Sequence, residues 1–162
     1  MKEPVQLFND EWSAGELTIR SYRPTDYDQV IAIWREAWGD GRPGDAASAL
    51  AYHLTHDPGP FLVAELDGRV VGTVLGSWDG RWAWVTRLAV HVDYRRRGLA
   101  KLLMAEVEQR LVALGAPFAA LLVGTENSAA MGLYRTLGYQ RHDHVAYLSK
   151  ALAETDGNRR GH

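Results

Sequence analysis

Three consecutive arginines, Arg95, Arg96 and Arg97, run into Gly98, and a helical pattern opens immediately behind them. Leu99, Leu102, Leu103, Val107, Leu111 and Leu114 recur at the spacing of one helical face. Just upstream, Leu88, Ala89 and Val90 close an apolar strand. The first N–H groups of a helix have no internal partner, and the helix dipole makes that end electropositive. Gly98 lets a ligand come close to the backbone, and the guanidinium groups add full positive charges. The chemistry this suits is the seating of a pyrophosphate. Lys101, one turn into the helix, either reaches a phosphate or stays on the solvated face.

A second group lies downstream. Asn127 and Tyr134 are seven positions apart, so both can face one side of a short helix, with Ala130 between them. On the pattern alone Asn127 reads as an N-cap, and Tyr134 reads as a core aromatic with its hydroxyl at the rim. Asp40 and Asp45 sit in the Gly-rich break that begins at Gly39. Their carboxylates would attract a cationic amine, or they belong to a polar surface loop. Trp34, Trp38, Trp78, Trp82 and Trp84 could line a pocket, although each fits a core or sheet face as well. His53 and His56, and likewise His142 and His144, are close in sequence but lack further ligands in register, so no metal site is read.

These residues need elements to position them. Leu17, Ile19 and Tyr22 suggest a first strand that Pro24 stops, and Thr25 reads as the N-cap of a helix carrying Tyr27, Val30, Ile31, Trp34, Ala37 and Trp38. A weaker helix is expected from about Asp45 to His53. Phe61–Leu66, Arg69–Trp78 and Arg81–Val90 read as three strands joined at Asp67-Gly68 and Asp79-Gly80, an antiparallel meander, with Gly72 and Gly76 as candidate bulges. The helix after Gly98 ends near Leu114. Phe118–Val123 is nearly all apolar, as a strand buried on both faces should be. A short helix through Tyr134 ends at Gly138, and Tyr139–Lys150 is expected to close the fold as one or two strands. The order is β-α-α-β-β-β-α-β-α-β. The crossover through the long helix pairs its two strands in parallel, which makes a mixed, mainly antiparallel α+β sheet flanked by helices.

Arg95, Gly98 and Ala100 match the signature Gln/Arg-x-x-Gly-x-Gly/Ala, and Asn127, Ala130 and Tyr134 match Asn-x-x-Ala-x-x-x-Tyr. On these motifs the sequence, from about Leu17 to Lys150, resembles the GNAT superfamily of acetyl-CoA-dependent N-acetyltransferases. The resemblance implies that the parallel strands splay apart with the pantetheine arm between them. It implies that the main chain of Leu88, Ala89 and Val90 contacts pantetheine and supplies an N–H for the thioester oxygen. Arg95, Arg96, Arg97, Gly98, Leu99, Ala100 and Lys101 would hold the diphosphate, with Asn127 and Ala130 also on the cofactor. Tyr134 would protonate the departing thiolate. The acceptor would be a small-molecule or peptide amine, with Asp40 and Asp45 bordering its cleft, and acetyl-CoA would be the cosubstrate, with no metal. The sequence departs from part of that family in lacking a Glu on either strand flanking the long helix; Glu126 lies just past the second. A non-catalytic acyl-CoA-binding or sensing module on the same fold is the alternative, distinguished by its failure to release free CoA with any amine.

At 162 residues the chain is expected to form one domain at 17–150, with an N-terminal extension at 1–16 and a polar tail at 151–162. A net charge of −2 gives no global field favouring nucleic acid or an anionic membrane. The glycine turn is not followed by the Lys-Ser/Thr of a P-loop. Cysteine is absent, so disulfides and thiolate metal sites are excluded. The N-terminus does not read as a signal peptide and no apolar run reaches the length of a membrane span, so the expectation is a cytoplasmic monomer or homodimer.

Overall fold

The structure is a computed structural model, and it describes residues 17–153. The expected N-terminal extension and the tail beyond residue 153 lie outside the described residues. The chain divides into a first unit that ends at Leu122 and a second that begins at Val123.

The first unit contains β1 (Leu17–Ser21), α1 (Tyr27–Trp38), α2 (Ala47–His56), β2 (Phe61–Leu66), β3 (Arg69–Trp78), β4 (Ala83–Val90), α3 (Leu99–Ala113) and β5 (Ala119–Ala120). The strands form one sheet in the order β1-β2-β3-β4-β5, antiparallel throughout except for the parallel pair β4–β5. Because side chains alternate along a strand, each face has its own helix. Phe61 and Val63 of β2, with Leu75 and Thr73 opposite them on β3, meet α1 through Val30, Ile31, Ile33 and Trp34. On the other face lies α3, which buries Leu99, Leu103, Met104, Val107 and Leu111 at about 1.5–3 kcal/mol each. There a Cβ on Gly72 would stand 3.0 Å from Leu103, and one on Gly76 would stand 3.0 Å from Val107. The two glycines therefore let α3 approach the sheet closely. A register irregularity does fall beside Gly72, whereas Gly76 sits in regular ladder opposite Val85.

Asp26 was expected within a capped helix start behind Thr25, and its carboxylate does something else. Pro24–Asp26 is a 3-10 turn, and Asp26 accepts two hydrogen bonds of 2.8 Å from Arg20 and one of 2.8 Å from the Arg23 amide. Arg20 also reaches Glu65 at 2.5 Å, so the cluster ties the turn to β1 and β2. The Arg20 guanidinium, joined by the Arg23 amide, holds the Asp26 carboxyl below its ordinary value against the opposing effect of burial. A depressed carboxyl contributes stability that is present above its unfolded pKa, about 3.9, and is lost as pH falls through the folded value. Asp26→Asn is expected to lose about 2–3 kcal/mol at neutral pH. In thermal melts at pH 7 and pH 3, the wild type should lose more on acidification than Asp26→Asn; equal losses would contradict this.

Two expected strands differ. The parallel ladder covers only Ala83–Ala119 and Trp84–Ala120, so β5 is two residues long. Phe118 and Leu122 are exposed rather than buried on both faces. In the second unit, α4 (Ser128–Thr136) forms as expected, but Tyr139–Lys150 forms no strand and the final β of the expected order is missing. Its apolar alternation is present, yet Val145, Tyr147 and Leu148 are exposed. An alternating pattern specifies a face; a strand also needs a neighbour for its N–H and C=O.

Candidate active site

The C-terminal half of β4 is irregular in a way that frees its backbone. Thr86 pairs with Leu75 and Ala89 with Thr73, so Arg87 and Leu88 both stand against Val74. This is a β-bulge, with Arg87 at a left-handed φ of 55°. Beyond it come Leu88, Ala89 and Val90, after which the His91 amide donates to Val71 at 2.8 Å. On its other edge β4 pairs with β5 only at Ala83 and Trp84. From Val85 onward that edge carries no strand ladder among the described residues, which leaves main-chain groups for other contacts.

The chain then passes through a 3-10 turn at Val92–Tyr94 and two left-handed residues, Arg96 at φ 66° and Gly98 at φ 81°. Gly98 is the N-cap of α3, and the Leu102 amide makes the first helical bond back to it at 3.2 Å. The N–H groups of Leu99, Ala100 and Lys101 therefore have no carbonyl within the helix. A Cβ built on Gly98 would meet no atom within 4 Å, so glycine is required here by backbone conformation and not by packing. The space before it is open.

The three arginines are not equivalent. The Arg95 Nε–H donates to the Val90 carbonyl at 3.0 Å, and its guanidinium pairs with Glu36 of α1. It thereby ties the turn to β4 and α1. Arg97 lies over the Tyr94 ring at 5.7 Å. Arg96 and Lys101 are exposed at the start of α3.

On the α1 side, Asp40 pairs with Arg35 at 2.7 Å, both exposed. Asp45 is buried; its Oδ1 accepts from Nε of Arg87 at 2.7 Å and forms an ion pair with Nη2 of the same guanidinium at 2.7 Å. Both carboxylates expected to attract an amine thus have an arginine partner. Trp34 is core, its Nε1–H donating to Thr73 at 2.8 Å, while Trp82 and Trp84 stack at 6.1 Å on an exposed face with Phe118. His91 caps its turn by accepting from the Asp93 amide at 3.2 Å. The sequence reading missed Arg87, Glu36 and Thr73. A lone arginine inside the apolar run Trp84–Val90 was the available signal for the first.

In the second unit, the Asn127 Oδ1 accepts from the Ala130 amide at 3.1 Å, so the first two motif residues meet in an N-cap. Tyr134 is half-buried one turn further along α4, with its ring edge-on to Tyr139 at 5.7 Å. Burial pushes its phenol above the ordinary value, so it is protonated at neutral pH.

Residues 27–139 match the model of the acetyltransferase (GNAT) family. An acetyltransferase of Sodalis glossinidius is 40% identical over 139 residues, which is 85% of this chain and 97% of that protein. The chain belongs to the GNAT acetyltransferase family. A Pectobacterium atrosepticum acetyltransferase is 39% identical over the same shares. Among solved structures, the aminoglycoside acetyltransferase AAC(6')-Iy, bound to a CoA-S-monomethyl-acetylneamine analogue, aligns at TM-score 0.72 and 22% identity over 85% of this acetyltransferase and 99% of its own chain. The PaiA N-acetyltransferase of Thermoplasma acidophilum, bound to coenzyme A, aligns at 0.70 and 20% over 79% and 92%. These two likenesses establish the GNAT fold for this acetyltransferase. No described helix is long and apolar enough to cross a membrane.

Proposed function

We propose that this acetyltransferase moves the acetyl group of acetyl-CoA to a primary amine by direct attack in a ternary complex. The observation that carries the reading is the continuity of β4 with the turn. A strand end with an unladdered edge leads straight into a left-handed glycine at the open N-terminus of a long helix. The diphosphate takes the N–H groups of Leu99, Ala100 and Lys101, with Arg96, Arg97 and Lys101 supplying charge. Arg95 serves this seat by holding the turn. Pantetheine runs along Leu88–Val90, where an N–H receives the thioester oxygen as it becomes an oxyanion; such fixed donors act strongly where water is scarce. Asn127 and Ala130 contact the cosubstrate from the start of α4.

The amine nitrogen attacks the thioester carbon, the C–S bond breaks, and the amide forms with loss of one amine proton. Tyr134 gives a proton to the departing thiolate, a role supported by its motif position and by a phenol that is protonated at neutral pH. The acceptor is a small-molecule or peptide amine; the aminoglycoside enzyme among the structural neighbours favours the former.

No carboxylate lies in Trp84–Arg87 or Leu121–Val123 to take the amine proton. We assign no dedicated side-chain base: water carries the proton away and the free-amine fraction reacts. An alkylammonium has a pKa of about 10.4. The test is release of free CoA thiol with a panel of polyamines, aminoglycosides, lysine and short peptides, followed by a pH profile with the best acceptor. The expected kcat/KM climbs towards the pKa of that amine without an inflection near neutrality, and Glu126→Gln, His53→Ala, His56→Ala and His91→Ala each leave it unchanged. An inflection between pH 6 and 8 that one of these variants removes would identify a base. No thiol release with any amine would favour a binding module.

A further inference from the structure

We propose that Arg87 and Asp45 form a positioning pair that ties the Gly-rich segment after α1 to the bulge of β4 and so sets the alignment of Leu88–Val90. Residues 39–46 contain three glycines, two of them at left-handed φ, and only Asp45 among the eight is buried. Asp45 is held twice, while the Arg42 guanidinium lies over the Trp38 ring at 5.8 Å. The Asp45 carboxylate accepts from Arg87 Nε and pairs with the same guanidinium through Nη2, and its carbonyl accepts from the Tyr27 hydroxyl at 2.9 Å. Asp40, in the same segment, holds only an exposed arginine.

Arg87 is the bulge residue itself, and its left-handed backbone carries a cost that the surroundings must offset. Its guanidinium lies over Trp34 at 5.5 Å and over Trp38 at 5.3 Å. Its carbonyl accepts from the Thr73 hydroxyl at 2.8 Å, and that hydroxyl accepts from Trp34. Main chain and side chain are thus fixed from both ends, with Asp45 supplying the only carboxylate among the described residues. One residue further on, Leu88 begins the stretch assigned above to the thioester. The functional consequence rests on that assignment: loss of the pair relaxes the bulge and misaligns the strand that receives acetyl-CoA.

The test is backbone amide NMR of the protein without acetyl-CoA. In Asp45→Ala, order parameters for residues 40–46 should fall from about 0.85 to below about 0.6. The amide resonances of Leu88, Ala89 and Val90 should shift with them. Asp45→Asn, which keeps an acceptor for Arg87, should lie between, and Asp40→Ala should match the wild type. Asp45→Ala/Arg87→Met removes both charges while keeping an apolar stem against the tryptophans. It should reproduce Asp45→Ala and covers the case in which the single variant leaves too little folded protein. A disordered segment with unshifted Leu88–Val90 resonances would overturn the proposal, as would an unchanged segment. These readouts need no cosubstrate, so they fail separately from the functional assignment, which titration of the wild type with acetyl-CoA tests by itself.

Discussion

Gly98→Val should abolish acetyl-CoA binding. Two effects act in this variant. At φ 81° a β-branched side chain is strained, which costs stability whatever surrounds it. The space in front of Gly98 is open, so the new methyl groups project into the seat proposed for the diphosphate at the helix N–H groups. Gly98→Asn separates the two, because asparagine tolerates the left-handed region. It should melt close to the wild type and still bind acetyl-CoA far more weakly. Melting curves with and without acetyl-CoA give the answer, since a ligand that binds only the folded state raises the transition by mass action. A normal shift in Gly98→Asn would place the diphosphate elsewhere.

Tyr134→Phe should lower the rate of acetyl transfer on the order of 10²-fold, the scale of a positioned proton donor. The substitution keeps the ring against Tyr139 and removes only the O–H. The phenol, held neutral by burial, has its proton available across the neutral range. Acetyl-CoA affinity and thermal stability should stay near wild type, because neither depends on the hydroxyl. A single-turnover measurement isolates the chemical step from product release. An unaltered single-turnover rate would reduce Tyr134 to a packing residue of α4.

The meander was legible because its turns are spelled out locally. Asp67-Gly68 and Asp79-Gly80 stand between apolar runs, and both glycines take the left-handed conformation their turns require. The long helix was legible through the period of Leu99, Leu103, Val107 and Leu111, all buried on one face. The strand, turn and helix start around Gly98 were legible for the same reason, since they are contiguous in the chain. Contacts between distant positions were not. Glu36 and Arg95 are 59 residues apart, and Asp45 and Arg87 are 42 apart, so neither pair leaves a spacing in the sequence. Arg95 ties the turn to α1 through Glu36, and Asp45 anchors its segment to β4 through Arg87. Phe118–Val123 and Tyr139–Lys150 show the limit of pattern on its own. Apolar composition marks surface to be covered but does not say which neighbour, if any, supplies the ladder.

Direct transfer within a ternary complex is the central claim, and steady-state kinetics with both substrates varied tests it most directly. Acetyl-CoA should be titrated at several fixed concentrations of the best amine from the panel, and the protein's mass recorded after incubation with acetyl-CoA alone. The expected result is a set of intersecting reciprocal plots and no added acetyl group on the protein. Parallel plots with a stable acetyl adduct would mean a covalent acyl-enzyme and would contradict the account.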